Sequence, residues 1–180
     1  MGRAVVLTAV AVLAAVALPS SASAALPECP PDAPPERGTC VFTVEDHRLT
    51  SEPCGFPLQL DAVGRILYTP RRDRQGNLVG ESFRPNIRIT LTNPANGRTV
   101  EDRDVGLDKA TFLPDGSIRV LSTGLHAKVR TGDRSTIFRQ IGLQIITIDP
   151  EGAVSVEPVG GNFQPDADFA RLVCSYLAGA

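Results

Sequence analysis

The chain has 180 residues, 18 Lys plus Arg against 20 Asp plus Glu, 42% hydrophobic residues, seven Phe, two Tyr and no Trp. That length suits one domain with a real core, and a net charge of −2 excludes a general electrostatic pull toward nucleic acid or an anionic membrane. Fifteen Pro and 16 Gly, spread along the chain, exclude a mostly helical protein.

Residues 1–24 read as a secretory signal peptide. Arg3 precedes an apolar run from Ala4 to Leu18, Pro19 breaks the run, and Ser20-Ser21-Ala22-Ser23-Ala24 ends in a small-residue cleavage pattern. The run is about 15 residues, short of the roughly 20 that span a bilayer. We therefore expect no membrane span after cleavage and a secreted, extracellular product. No Cys stands at the cleavage point to carry a lipid. Loss of Arg3 leaves 17 basic and 20 acidic residues, a net −3. All the basic residues are Arg except Lys109 and Lys128, a skew that fits codon usage in a GC-rich genome.

Residues 25–53 read as a Pro-rich leader, whose stretch from Pro27 to Thr39 has too few apolar residues to fold by itself, and residues 54–180 as the β-domain with a terminal helix. Cys29, Cys40, Cys54 and Cys174 are an even set, which in an oxidising compartment implies disulfides. Four cysteines allow three pairings. We expect Cys29 with Cys40, stapling the leader, and Cys54 with Cys174, tying the start of the domain to its end. A metal centre is not expected, since no Cys-x-x-Cys occurs and His47 is the only histidine near the cysteines.

From residue 56 onward apolar and polar residues alternate with period two, the signature of strands with one wet face. Phe56, Leu58, Leu60 and Ala62 form the first such row. Phe83, Ile87, Ile89 and Leu91 alternate with Arg84, Asn86, Arg88, Thr90 and Thr92; Leu125, Ala127 and Val129 alternate with His126, Lys128 and Arg130; Val154 and Val156 follow. Turn chemistry separates the rows: Arg74-Gln75-Gly76-Asn77, Asn93-Pro94-Ala95-Asn96-Gly97, Leu113-Pro114-Asp115-Gly116, Thr131-Gly132-Asp133 and Asp149-Pro150-Glu151-Gly152. The pattern predicts a mainly β fold, an antiparallel meander closing as a single barrel or sandwich of about eight strands.

The end of the chain is helical instead. Phe169, Leu172, Val173, Tyr176 and Leu177 recur at helical spacing, Asp166 and Asp168 suit the N-terminal dipole, and Gly179 suits a C-cap.

No catalytic constellation stands in the sequence. His47, in Glu45-Asp46-His47-Arg48, reads as a solvated loop residue, because neighbours on an extended chain point to opposite faces. His126 lies on the polar side of its row. No serine, Ser117 included, has a nucleophile elbow, and no phosphate loop or dinucleotide fingerprint occurs. Asp102, Asp104 and Asp108 form the densest acid cluster, but Gly106 replaces a ligand of the usual calcium loop, so charges on a wet strand face explain it more simply. Arg71, Arg72 and Arg74 read as an exposed hairpin tip able to meet an anionic surface polymer.

Cys54-Gly55-Phe56-Pro57 at the domain start, Leu91-Thr92-Asn93 and Asp115-Gly116 within it, and Val173-Cys174-Ser175-Tyr176-Leu177 near its end carry a resemblance. Over residues 54–177 the chain resembles a group of uncharacterised small secreted proteins of GC-rich bacteria with the same opening and a Cys in a final short helix. That likeness implies the 54–174 crosslink and lends no catalytic residue. The strand pattern is more distantly similar to the allene-oxide-cyclase-type barrel, a fold-level analogy.

The function expected is a secreted non-catalytic β-domain, an extracellular binding or structural module, with no cofactor and no nucleic acid. Its partner would be an envelope or host component. The alternative is a small barrel that binds or isomerises an apolar lipid-like ligand, with Leu58, Leu60, Ile87, Ile89, Leu125 and Val129 facing it.

Overall fold

The computed structural model describes residues 26–30 and 38–180, so the expected signal peptide lies outside the described residues. Seven strands follow in chain order: β1 (Cys40–Thr50), β2 (Leu58–Arg72), β3 (Leu78–Thr92), β4 (Thr99–Phe112), β5 (Ile118–Thr131), β6 (Thr136–Ile148) and β7 (Val154–Asn162), and then helix α1 (Asp166–Ala178). Each strand pairs antiparallel with the next, giving one sheet in the order β1 to β7 whose two edges do not join. The protein is thus the mainly β meander with a terminal helix that the pattern predicts, with seven strands in place of about eight.

Cys40–Thr50, which falls within the stretch read as the leader, is a full edge strand paired with β2 from Cys40↔Tyr68 to Thr50↔Leu58. Its outer edge is covered at the start by residues 27–29: Cys29 N–H donates to Val41 O, and Val41 N–H to Pro27 O, each at 2.9 Å. Cys29 is bonded to Cys40, so the disulfide holds a short protecting segment against an otherwise open edge.

In an antiparallel ladder, directly paired residues share a face. One face of the sheet, hereafter the helix face, carries α1 at one end of the strands. Leu58, Leu91, Val100, Val129 and Phe138 from β2 to β6 meet Val173 and Leu177 there, with Phe169 edge-on to Phe138 at 5.2 Å between ring centres. The helix is held at both flanks. Cys174 is bonded to Cys54 in the β1–β2 loop. The β3–β4 turn caps the helix C-terminus, where Asn93 and Asn96 side chains donate to Leu177 O and Arg98 to Tyr176 O, leaving those end carbonyls satisfied. At the far end of the same face Tyr68 is buried between Phe42 and Phe83 and donates to Glu81.

Between the two ends the sheet is creased. Gly106, Gly124, Gly142 and Gly161 are successive partners across β4 to β7. Ladder irregularities gather beside them, at Glu101/Val105, Leu125/Ala127 and Leu143/Gln144. A Cβ on Gly124 would stand 2.7 Å from Gly106 Cα and from Val105 O, so the backbones approach here more closely than any side chain permits. Glycines and bulges along one line are how a long sheet bends.

Four of the five tight turns from β2 to β7 place Gly at the left-handed position: Gly76, Gly97, Gly116 and Gly152, with φ of 92°, 71°, 88° and 88°. The β5–β6 turn places Arg134 there at φ 70°. A side chain in this region costs about 1 kcal/mol or more. Arg134→Gly should therefore raise stability by about 0.5–1 kcal/mol, or roughly 2–3 °C in Tm. A thermal melt monitored by circular dichroism checks this; a lower Tm would contradict the turn assignment.

Candidate functional site

The crease gathers the polar groups of the helix face. The bulge after Leu125 turns both His126 and Ala127 to that face, so His126 leaves the wet side that simple alternation gives it. Asp108 and Ser122 are direct cross-strand partners on the same face. Ser122 Oγ lies 2.5 Å from Asp108 Oδ1 and 3.3 Å from His126 Nδ1, while His126 Nε2 lies 3.3 Å from Gly142 O. The imidazole stacks on Phe163, with 5.6 Å between ring centres.

A carbonyl only accepts, so Nε2 donates to Gly142. Ser122 Oγ joins Asp108 to the other ring nitrogen, so the three side chains form one hydrogen-bonded chain that ends on the Gly142 carbonyl. Ser122 is only 4% exposed, so its oxygen offers no approach to a substrate, and the trio reads as a structural hydrogen-bond relay.

Asp104 stands beside the relay, on the helix face opposite Ile87. Burial pushes its carboxyl up to about 6, the charges of Asp108 and Asp102 add to the rise, and His126 opposes it. Asp102 is also raised by burial, although the backbone N–H groups of Lys128 and Arg103 donate to it and pull the other way. The acid cluster of the sequence is thus half-buried on the inner face. Among the described residues no group of three or more His, Cys, Asp or Glu is arranged to hold a metal.

The opposite face of the sheet carries the cations. Arg65 on β2, Arg84 and Arg88 on β3, Arg103 on β4, Lys128 and Arg130 on β5 and Arg139 on β6 all point to it. Arg88 is the direct cross-strand partner of Arg103, and Lys128 of Arg139. Like charges placed directly opposite are unfavourable. The ion pairs among the described residues involve His47, Arg48 and Arg171 and none of these seven. Asp61 and Glu101 are the acids on this face between β2 and β6, and Asp61 is engaged by His47 at 2.7 Å.

Four of the cations, Arg88, Arg103, Lys128 and Arg130, line a trough. One part, of about 380 Å³, is bordered by Glu101, Arg103, Lys128 and Arg130 over a floor of Val105 and Leu125. A second part, of about 220 Å³, adds Val63, Gly64 and Arg88 and shares Asn86, Glu101 and Arg103 with the first.

The residues singled out in the sequence are distributed as follows. Leu58, Leu60, Ile87, Ile89 and Val129 share the helix face, whereas Leu125 faces the trough because of the bulge. Leu58 and Val129 are fully buried in the core under α1. His47, read as a loop residue, is in β1 and pairs with Asp61, which together with Glu45 raises its pKa. Arg71 donates to Thr111 near the β2–β3 hairpin tip, and Arg74 lies in that turn. Sequence reasoning missed the relay and the cation row. Period two already placed Arg84 and Arg88 together, but strand register decides which cations of other strands join them.

No protein-family model, no curated protein and no solved structure matches this chain.

The buried carboxyl makes a signed prediction. From about pH 4 to about pH 6 the unfolded chain ionises at Asp104 while the folded protein keeps the proton, so the cost to folding grows across that window and is full above it. The shift corresponds to about 3 kcal/mol, which solvent access at this half-buried site reduces to about 1–2 kcal/mol. Asp104→Asn should stabilise by that amount near pH 7.5 and by almost nothing near pH 3.5. Urea unfolding at both pH values measures it; equal effects would overturn the assignment. His126→Asn should destabilise by about 1–2 kcal/mol in the same urea unfolding measurement, because the hydrogen bonds to Ser122 and to the Gly142 carbonyl and the stack on Phe163 are lost; an unchanged midpoint would contradict the network.

Proposed function

We propose that the protein is a secreted, non-catalytic extracellular binding module that meets its partner on the open face of the sheet, opposite α1. The observation that carries this reading is the row of seven cations from β2 to β6, none in an ion pair among the described residues, in which Arg88 faces Arg103 and Lys128 faces Arg139; four of the seven line a trough shared with Glu101, the cross-strand partner of Arg130. A surface kept only for solubility has no reason to set Arg88 directly opposite Arg103 and Lys128 directly opposite Arg139. The two disulfides fit an oxidising location. No described helix is long and apolar enough to cross a membrane.

Lysine placement provides the test. Lys109 and Lys128 are the only lysines in the sequence, and both lie on the open face. Acetylation of the oxidised protein, with and without envelope material of the producing cells, should show Lys128 protected by that material. Equal labelling in both cases would refute the reading. A mass shift from a retained apolar molecule in native mass spectrometry, together with equal labelling, would favour the lipid-binding barrel instead.

A further inference from the structure

We infer that the cation row across β2 to β6, with the trough that β2 to β5 form along it, takes a linear acidic polysaccharide, gripped through its carboxylate or sulfate groups. This rests on the binding-module reading and names its partner.

Charge pairing is the first argument. Arg88 with Arg103 and Lys128 with Arg139 are repulsive while the face is empty, and an anion lying between the members of each pair turns repulsion into attraction on both sides. Extent is the second. Cations stand on five successive strands, which at a spacing of about 4.8 Å cover about 19 Å across the sheet. That length fits several anionic groups in a line and far exceeds one small ion. Identity is the third. Apart from Lys128 the row is arginine, whose planar fork meets carboxylate or sulfate oxygens with two parallel hydrogen bonds.

Competing polyanions fit less well. Single-stranded nucleic acid needs aromatic platforms for its bases. On β2 to β6 the aromatic residues Tyr68, Phe83, Phe112 and Phe138 all face the helix side, and none faces the trough. An anionic membrane presents a plane, whereas Arg103, Lys128 and Arg130 border a concave space floored by Val105 and Leu125. A flexible polymer follows such a concavity.

The test uses the full oxidised chain in calorimetric titrations with polygalacturonate, heparin, neutral dextran, single-stranded DNA and phosphatidylglycerol vesicles. Tight binding is expected for polygalacturonate or heparin, carboxylate and sulfate being told apart by which one binds, with affinity falling as salt rises. The Arg88→Gln/Arg103→Gln variant should bind at least tenfold more weakly, with a salt slope flatter by about two. Its Tm should be no lower than that of the wild type, because a repulsive pair has been removed. Arg48→Gln/Arg171→Gln changes net charge equally on residues outside the trough and should bind as wild type does.

Equal weakening by both variants would overturn the inference, as would tighter binding of DNA or vesicles than of either acidic polysaccharide. Dextran binding that Arg88→Gln/Arg103→Gln abolishes would refute the acidic polymer and leave the binding module standing. Absence of binding to every polymer, with Lys128 unprotected by envelope material, would remove both.

Discussion

A 13-residue helix is about 20 Å long, and the 15-residue strands β2 and β3 are each about 50 Å long. One such helix can cover only one end of one face of a seven-stranded sheet, and the rest of the structure answers to that shortfall. The apolar core lies where the helix is, from Leu58 on β2 to Phe138 on β6. Position therefore matters more for α1 than propensity does. The Cys54–Cys174 bond fixes one flank, and Asn93, Asn96 and Arg98 fix the C-terminal turn. In the chain-entropy account a crosslink closing about 100 residues contributes about 4.7 kcal/mol. The 120-residue separation here is close to that, a large share for a core so confined.

Beyond the reach of the helix, the inner face runs into the crease, and there apolar packing gives way to a polar network. Such a network stabilises only when every member is satisfied. Among the described residues no buried side-chain nitrogen or oxygen lacks a partner. Asp102 takes two backbone N–H donors, and Asp108, Ser122 and His126 form a hydrogen-bonded chain down to the Gly142 carbonyl. The glycines and the network depend on one another. Without the close approach at Gly124 the strands would not bend, and without the bulge beside it His126 would face the trough. Asp104 is the cost of this arrangement, a carboxyl raised to about 6 by its burial and then by the charges of Asp108 and Asp102.

Local sequence signals carried the strands, the turns and the helix, because period two, turn residues and a helical stripe each act over a few residues. The row Phe83, Ile87, Ile89 and Leu91 shares one face as alternation requires. Phe169, Leu172, Val173, Tyr176 and Leu177 all reach the core. Cys40–Thr50 was harder to read as a strand, since an edge strand with Glu45, His47 and Arg48 has little apolar alternation to show. Leu125 and His126 were misplaced for a sharper reason. A bulge inserts one residue, every side chain before it changes face relative to those after it, and nothing in Gly124-Leu125-His126-Ala127 marks the insertion. The relay and the trough depend on register between strands, so they lie beyond what one strand's sequence contains.

Net charge misled in the same way. A value of −2 is a sum over a molecule whose crease carries Asp102, Asp104 and Asp108 inward and whose open face carries Arg65, Arg88, Arg103, Arg130 and Arg139 outward. Beyond a Debye length of about 8 Å the solution hardly senses either set, and within it a partner meets only the face it touches. An acidic protein can therefore present a cationic surface, provided the sheet separates the two sets. Register does that here: Asp102, Asp104 and Asp108 share one face with their partners Ile89, Ile87 and Phe83, whereas Arg88, Arg103, Arg130 and Arg139 project from the other.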